Sequence, residues 1–170
     1  MAPERLFSPD LKRHLLSVAN PAGLIYGTIA VGALLAAEST KGQTYAATVE
    51  GVCVALTLYW LAYTYAGFVG ERLKTPQSFR LVGFFNALAG EITVVLGAAV
   101  PLAVVLICWA AGVPLADGIK AAVWASAAMI FTYELVAGVR SGLTGSELIA
   151  QASLGAVLGV LLIVLRILLH

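Results

Sequence analysis

Long apolar runs alternate with short polar stretches along the whole chain. A helix needs roughly 20 apolar residues to cross a bilayer core about 30 Å thick. Five runs meet this length, at residues 15–37, 45–69, 81–111, 115–139 and 143–168. The pattern therefore predicts an all-α fold, a polytopic transmembrane helix bundle with about five spans. Residues 15–170 are predicted to form one transmembrane domain, preceded by an interfacial amino-terminal segment at residues 1–14.

The third apolar run is too long for one straight span. At 1.5 Å per residue, a helix over residues 81–111 would reach about 46 Å. It must tilt, kink or begin as an interfacial segment. Pro101 removes one backbone hydrogen bond, and Gly90 and Gly97 are conformationally permissive. We therefore expect a bend near the middle of this run.

The composition is that of a membrane protein. Of 170 residues, 61% are hydrophobic and 11% are charged, and the mean hydropathy is +0.96. Soluble domains carry about 25% charged residues. The net charge of +1 gives no strong field to attract nucleic acid, so we expect the lipid bilayer as a partner and no nucleic acid.

Basic residues near the predicted span ends are unevenly distributed. Those on the same side as the amino terminus are Arg5, Lys12, Arg13, Arg72, Lys74, Arg80 and Arg140. The other side has Lys41 and Lys120, with Arg166 near the end of the last span, where its long side chain can reach the interface. Positively charged loops stay in the cytoplasm. The distribution predicts a cytoplasmic amino terminus and a carboxyl terminus outside.

Three glutamates fall inside predicted spans, where each costs about 2 to 3 kcal/mol to insert. Glu50 lies in the outer part of the second span, and Glu91 and Glu134 lie in the inner parts of the third and fourth. If those two spans form an antiparallel hairpin, Glu91 and Glu134 lie close and share a proton. Such a pair could relay protons. Equally, each glutamate could be protonated or paired and serve only helix packing.

Other polar residues extend this candidate pathway. Thr57 lies seven residues after Glu50 and on the same side of the helix. Tyr63 adds a hydroxyl toward the inner end, although an interfacial aromatic belt is the favoured explanation for it. The amide of Asn86, with Arg80 or Arg140 as the cationic partner, is predicted to lie near the carboxylates of Glu91 and Glu134. The full set of proton or ion pathway candidates is Glu50, Glu91, Glu134, Thr57, Tyr63, Asn86, Arg80 and Arg140.

Several chemistries have no motif in this sequence. It contains no P-loop, zinc pattern, nucleophile elbow or potassium-filter string. His14 and His170 lie near the ends of the chain, and Cys53 and Cys108 lie in apolar runs without a ligand-spaced neighbour. We therefore expect no enzymatic activity, no metal site and no cofactor.

Two segments resemble a known group of proteins. They are GLIYGTIAVGALLAAES at residues 23–39 and LYWLAYTYAGFVGER at residues 58–72. They resemble small, uncharacterised polytopic membrane proteins of high-GC bacteria. The resemblance implies a bacterial cytoplasmic membrane and no particular activity. Such proteins often carry His where Tyr63 stands, and this difference weakens a proton-transfer role at that position.

Two functions from different classes remain open at this point. One is a small proton-coupled transporter or channel that uses the intramembrane glutamates. The other is a non-catalytic membrane subunit or scaffold, either a homodimer or a partner of another membrane subunit. Pairs of small residues four apart, which allow close helix contact inside one chain or between chains, support the second. They are Gly23 and Gly27, Ala121 and Ala125, and Gly155 and Gly159.

Overall fold

The described part of the chain is a bundle of α-helices. The computed structural model describes residues 21–74 and 81–169, and these segments contain no strand. The helices are α1 (Pro21–Ala37), α2 (Tyr45–Lys74), α3 (Leu81–Gly90), α4 (Thr93–Gly97), α5 (Ala99–Ala110), α6 (Leu115–Arg140) and α7 (Gly145–Leu169). The all-α prediction is confirmed. The predicted interfacial segment at residues 1–14 lies outside the described residues.

Several of these helices are long and apolar enough to cross a membrane. In the described residues, α2, α6 and α7 each meet this condition. The segment formed by α3 and α4 and the segment formed by α5 meet at a bend, and they add a fourth span if the two segments together count as one. The remaining helix, α1, is apolar but shorter. The chain is therefore a membrane-embedded bundle. The count of five spans and the cytoplasmic amino terminus stay predictions.

Helix α1 lies at the centre of the bundle. It contacts α2, α4, α6 and α7. Its side chains Val31 and Leu35 are fully buried and belong to one apolar core with Ile119 and Ile130 of α6. Helix α7 packs along α6, whereas α3 packs mainly against α2. The bundle thus has a tightly packed centre and a peripheral pair, α2 and α3.

Glycines bring helices into close contact inside this one chain. A Cβ atom on Gly27 would collide with the backbone of Val94, and one on Gly97 would collide with the backbone of Leu24. On α7, a Cβ atom at Gly155 would lie 2.8 Å from a side-chain carbon of α6. At Gly27 and Gly97 the obstructing atoms are backbone, so only glycine allows the observed separation and the crossing of α1 and α4 depends on the missing side chains.

The third predicted span bends close to Pro101, as expected from the sequence. The helix axis turns by 46° between the segment that ends at Gly97 and α5. Pro101 has no N–H, so the carbonyl of Gly97, four residues earlier, has no helical partner. The hydroxyl of Thr28 lies 2.7 Å from this carbonyl and 2.9 Å from that of Leu24, one turn earlier in α1. Thr28 therefore stabilises the bend from the neighbouring helix.

We expect Thr28→Val to destabilise the bundle. Thr28 is fully buried, and valine keeps its shape but leaves the Gly97 carbonyl without a donor. An unsatisfied buried carbonyl costs about 1 to 3 kcal/mol. Thermal unfolding in detergent measures the loss. Thr57→Val is the matched control, because the exposed Thr57 hydroxyl donates only within its own helix, to the Cys53 carbonyl at 2.8 Å. Equal unfolding temperatures for the two variants would contradict the role of Thr28.

Arg166 lies in an environment that the sequence did not predict. The side chain is nearly buried at this end of the bundle, with only 7% of the residue exposed. Its Nη1 atom donates to the backbone carbonyl of Glu38 at 2.7 Å. Glu38 directly follows α1, and the carbonyl end of a helix favours a cation. Arg166 therefore links α7 to the end of α1.

Candidate functional site

A cavity of about 840 Å³ lies between α2 and the turn that joins α3 to α4. Its polar wall consists of Tyr63, Thr64, Glu71 and Glu91, and the remaining wall is small or aromatic. Of the candidates predicted from the sequence, Tyr63 and Glu91 meet here. The peripheral position of α2 and α3 leaves this cavity partly open at the side of the bundle.

Glu91 lies at a break in the third span. Its N–H donates to the Ala87 carbonyl at 3.0 Å, while its own carbonyl accepts from Val94 at 3.1 Å, only three residues ahead. This tight turn separates α3 from α4. Its half-buried side chain lines the cavity. Transporters commonly place substrate and ion sites at such breaks in membrane helices.

Aromatic contacts hold the helices around the cavity together. The Tyr63 side chain interacts electrostatically with Glu91, and its ring lies tilted against that of Tyr26 of α1, with centroids 4.8 Å apart. Between α2 and α3, the rings of Phe68 and Phe84 meet edge to face with centroids 5.6 Å apart. These contacts fix the position of α2 relative to α1 and α3. Tyr63 and Glu91 are thereby held on the walls of the same cavity.

Glu134 has different surroundings from those of Glu91. The side-chain amide of Gln151 on α7 donates to Glu134 Oε2 at 3.1 Å. The methylene groups of Glu134 pack over Gly155. Glu134 therefore joins α6 to α7 through a specific side-chain hydrogen bond.

The other sequence candidates within the described residues do not line this cavity. Four of them have exposed side chains elsewhere on the described helices, namely Glu50, Thr57, Asn86 and Arg140. Arg80 lies outside the described residues. The structure thus brings together two of the eight predicted positions and gives a third, Glu134, a separate hydrogen-bonded site.

Glu71 lines the cavity, although the second span was predicted to end two residues before it. Helix α2 continues to Lys74, beyond the predicted end of the second span at residue 69. Tyr63, Gly67 and Glu71 follow one another at intervals of four residues and all line the cavity. Residues at this spacing share a helix face. That spacing was the signal that could have identified Glu71.

Three buried polar atoms in the described segments have no hydrogen-bond partner in the protein. They are Thr48 Oγ1, Trp60 Nε1 and Thr93 Oγ1. Trp60 lies one turn from Tyr63 and Thr64 on α2, and Thr93 follows the break at Glu91. Buried polar groups of this kind commonly bind an internal water molecule. Trp60 and Thr93, which lie near the cavity residues in the chain, are therefore positions where internal water can extend inward from the cavity.

Neither a cluster of metal-ligating side chains nor similarity to a known protein identifies the function of this site. Within residues 21–74 and 81–169, no group of three or more His, Cys, Asp or Glu side chains is placed to hold a metal ion. No family model, no curated protein and no solved structure matches this chain.

Proposed function

We propose that this membrane-embedded bundle carries protons through the bilayer, with Glu91 as the group that binds and releases them. The observation that supports this most strongly is the position of Glu91 at a helix break, where it lines a cavity of about 840 Å³. Ionisable side chains inside membrane spans commonly mark ion or proton pathways. The resemblance of two segments to bacterial membrane proteins supports the cytoplasmic membrane as the location.

The groups around Glu91 support a proton pathway. Proton transfer needs donors and acceptors in sequence, supplied by carboxyls, hydroxyls or water. Tyr63 provides a hydroxyl near Glu91, and Thr64 and Glu71 line the same cavity. The unpartnered side-chain atom of Trp60 offers a site for water one turn further along α2. In this proposal the cavity connects Glu91 to one side of the membrane, and internal water extends the path.

Proton flux into liposomes tests this function. The purified protein is reconstituted, a potassium diffusion potential is applied, and internal pH is followed with an entrapped dye. We expect acidification faster than in protein-free liposomes and faster than with an unrelated helical membrane protein at the same protein-to-lipid ratio. Rates equal to those of both controls would overturn the proposal.

A second function, that of a membrane subunit or scaffold, is favoured by the surface of α2. Only 17% of the most apolar 18-residue segment of α2 is buried inside the bundle, and Leu58 and Tyr65 are each 62% exposed. Glu50 is exposed on the same helix. A polar side chain on the outside of a membrane helix is stabilised by contact with another protein. Lack of proton flux together with stable co-purification of a membrane partner would support this alternative.

A further inference from the structure

A groove at the other end of the bundle has a polar mouth and an apolar wall. Its volume is about 510 Å³, and it lies between α6 and α7 beside Thr40, which follows α1. Lys120 and Arg166 line its mouth, and Trp124 and Ile163 line its wall. We propose that this groove binds one phospholipid that carries a primary amine in its headgroup, such as phosphatidylethanolamine.

The direction of the groove matches the direction of a lipid. Trp124 lies one helical turn after Lys120 on α6, and Ile163 lies one turn before Arg166 on the antiparallel α7. Both helices therefore change from cationic to apolar over the same distance, away from the same end of the bundle. Trp124 is 62% exposed, as expected for a residue at the level of lipid headgroups. A phosphate at the mouth would leave an acyl chain lying along the wall.

The charges at the mouth select a zwitterionic headgroup. Lys120 Nζ lies 3.1 Å from Asp117, and both side chains are more than half exposed. Arg166 donates to the Glu38 carbonyl and also interacts electrostatically with the Glu38 carboxylate. Two cations and two carboxylates give no net positive charge, so a purely anionic headgroup gains little. A phosphate between Lys120 and Arg166, with an ammonium near Asp117, satisfies both signs.

The amine must also donate hydrogen bonds. A primary ammonium has three N–H groups that can donate to the Asp117 carboxylate, whereas the quaternary ammonium of phosphatidylcholine has none. The groove is therefore expected to prefer phosphatidylethanolamine to phosphatidylcholine with the same acyl chains. The phosphate and the acyl chains are common to both lipids, so a difference in their retention measures the contribution of the amine contact alone.

Native mass spectrometry measures this preference directly. The full chain is exchanged into equal amounts of phosphatidylethanolamine, phosphatidylcholine and phosphatidylglycerol with identical chains, and retained lipid is counted. We expect phosphatidylethanolamine to be enriched. We expect Lys120→Gln to lower its retention about fivefold, as for a lost cationic contact at the membrane surface. The matched control is Lys41→Gln, because Lys41 is an exposed lysine that does not line the groove.

A second variant keeps the proposal testable if Lys120→Gln lowers the yield of folded protein. Asp117→Asn leaves both cations in place and removes one carboxylate. The variant should therefore retain more phosphatidylglycerol and less phosphatidylethanolamine than the unmodified chain. Free glycerophosphoethanolamine should not displace the bound lipid, because it lacks the acyl chain. Equal retention of the three lipids, preference for phosphatidylglycerol in the unmodified chain, or displacement by the free headgroup would each overturn the proposal.

Discussion

Placing a single methyl group on Gly27 is expected to destabilise the bundle strongly and to lower its unfolding temperature. A Cβ atom at this position would occupy the same space as the carbonyl of Val94 in α4. The obstructing atoms are backbone, so no rotamer change relieves the collision and α1 must move away from α4. Forcing extra carbon into a packed interior costs about 1 to 3 kcal/mol, occasionally more. We expect the upper end of this range for Gly27→Ala.

The control for Gly27→Ala is the same substitution on an open helix surface. A Cβ atom on Gly51 of α2 would meet no other atom within 4 Å. Alanine is the better helix former by about 1 kcal/mol, so Gly51→Ala should leave stability unchanged or raise it. The unfolding temperature of each variant in the same detergent gives the comparison. If Gly27→Ala unfolds at the temperature of the unmodified chain, the close crossing of α1 and α4 is wrong.

The largest functional effect is expected from Glu91→Gln. Glutamine keeps the size of the side chain and its capacity for hydrogen bonding but cannot exchange a proton at neutral pH. General acid and base groups contribute about 10²-fold or more to proton-transfer steps. Proton flux into liposomes should therefore fall at least to the detection limit set by protein-free liposomes. The variant should still elute as a folded protein, because Glu91 lies at the cavity wall rather than in the core.

Two further glutamates provide matched controls for Glu91→Gln. Glu50 is exposed and lies outside the cavity, so Glu50→Gln should conduct normally. Glu134→Gln should retain most of the flux, because an amide at this position can still accept a hydrogen bond from Gln151. Normal flux in Glu91→Gln would remove Glu91 from the pathway. Loss of flux in Glu134→Gln alone would move the pathway to the contact between α6 and α7.

The helices were predictable because the bilayer imposes their length. Helix α6 was expected at residues 115–139 and is observed at Leu115–Arg140; α7 was expected at 143–168 and is observed at Gly145–Leu169. Pro101 indicated the bend in the third span, since its missing N–H is a local property of the sequence. These features follow from single segments, and no knowledge of neighbouring helices is needed to predict them.

Contacts between helices were not predictable from such local patterns. Nothing near Thr28 in the sequence indicates that its hydroxyl reaches the carbonyl freed by Pro101. In the same way, nothing in the sequence indicates that Arg166 of α7 donates to the carbonyl of Glu38 at the end of α1. The cavity at Glu91 depends on how far α3 lies from α2. The helical spacing of residues shows which face of a helix each one lies on. It does not show which neighbouring helix that face packs against.

Water access to the cavity is the most direct test of the proton pathway. Ala87 of α3 lines the cavity, whereas Phe85 is 64% exposed and lies two residues earlier on the other side of the helix at nearly the same depth. Each is replaced by cysteine after Cys53 and Cys108 have been changed to alanine, and a membrane-impermeant thiol reagent is applied to the reconstituted protein. We predict that Ala87→Cys reacts and that Phe85→Cys does not. Equal reactivity of the two, or no reaction of Ala87→Cys, would contradict a water-filled cavity at Glu91.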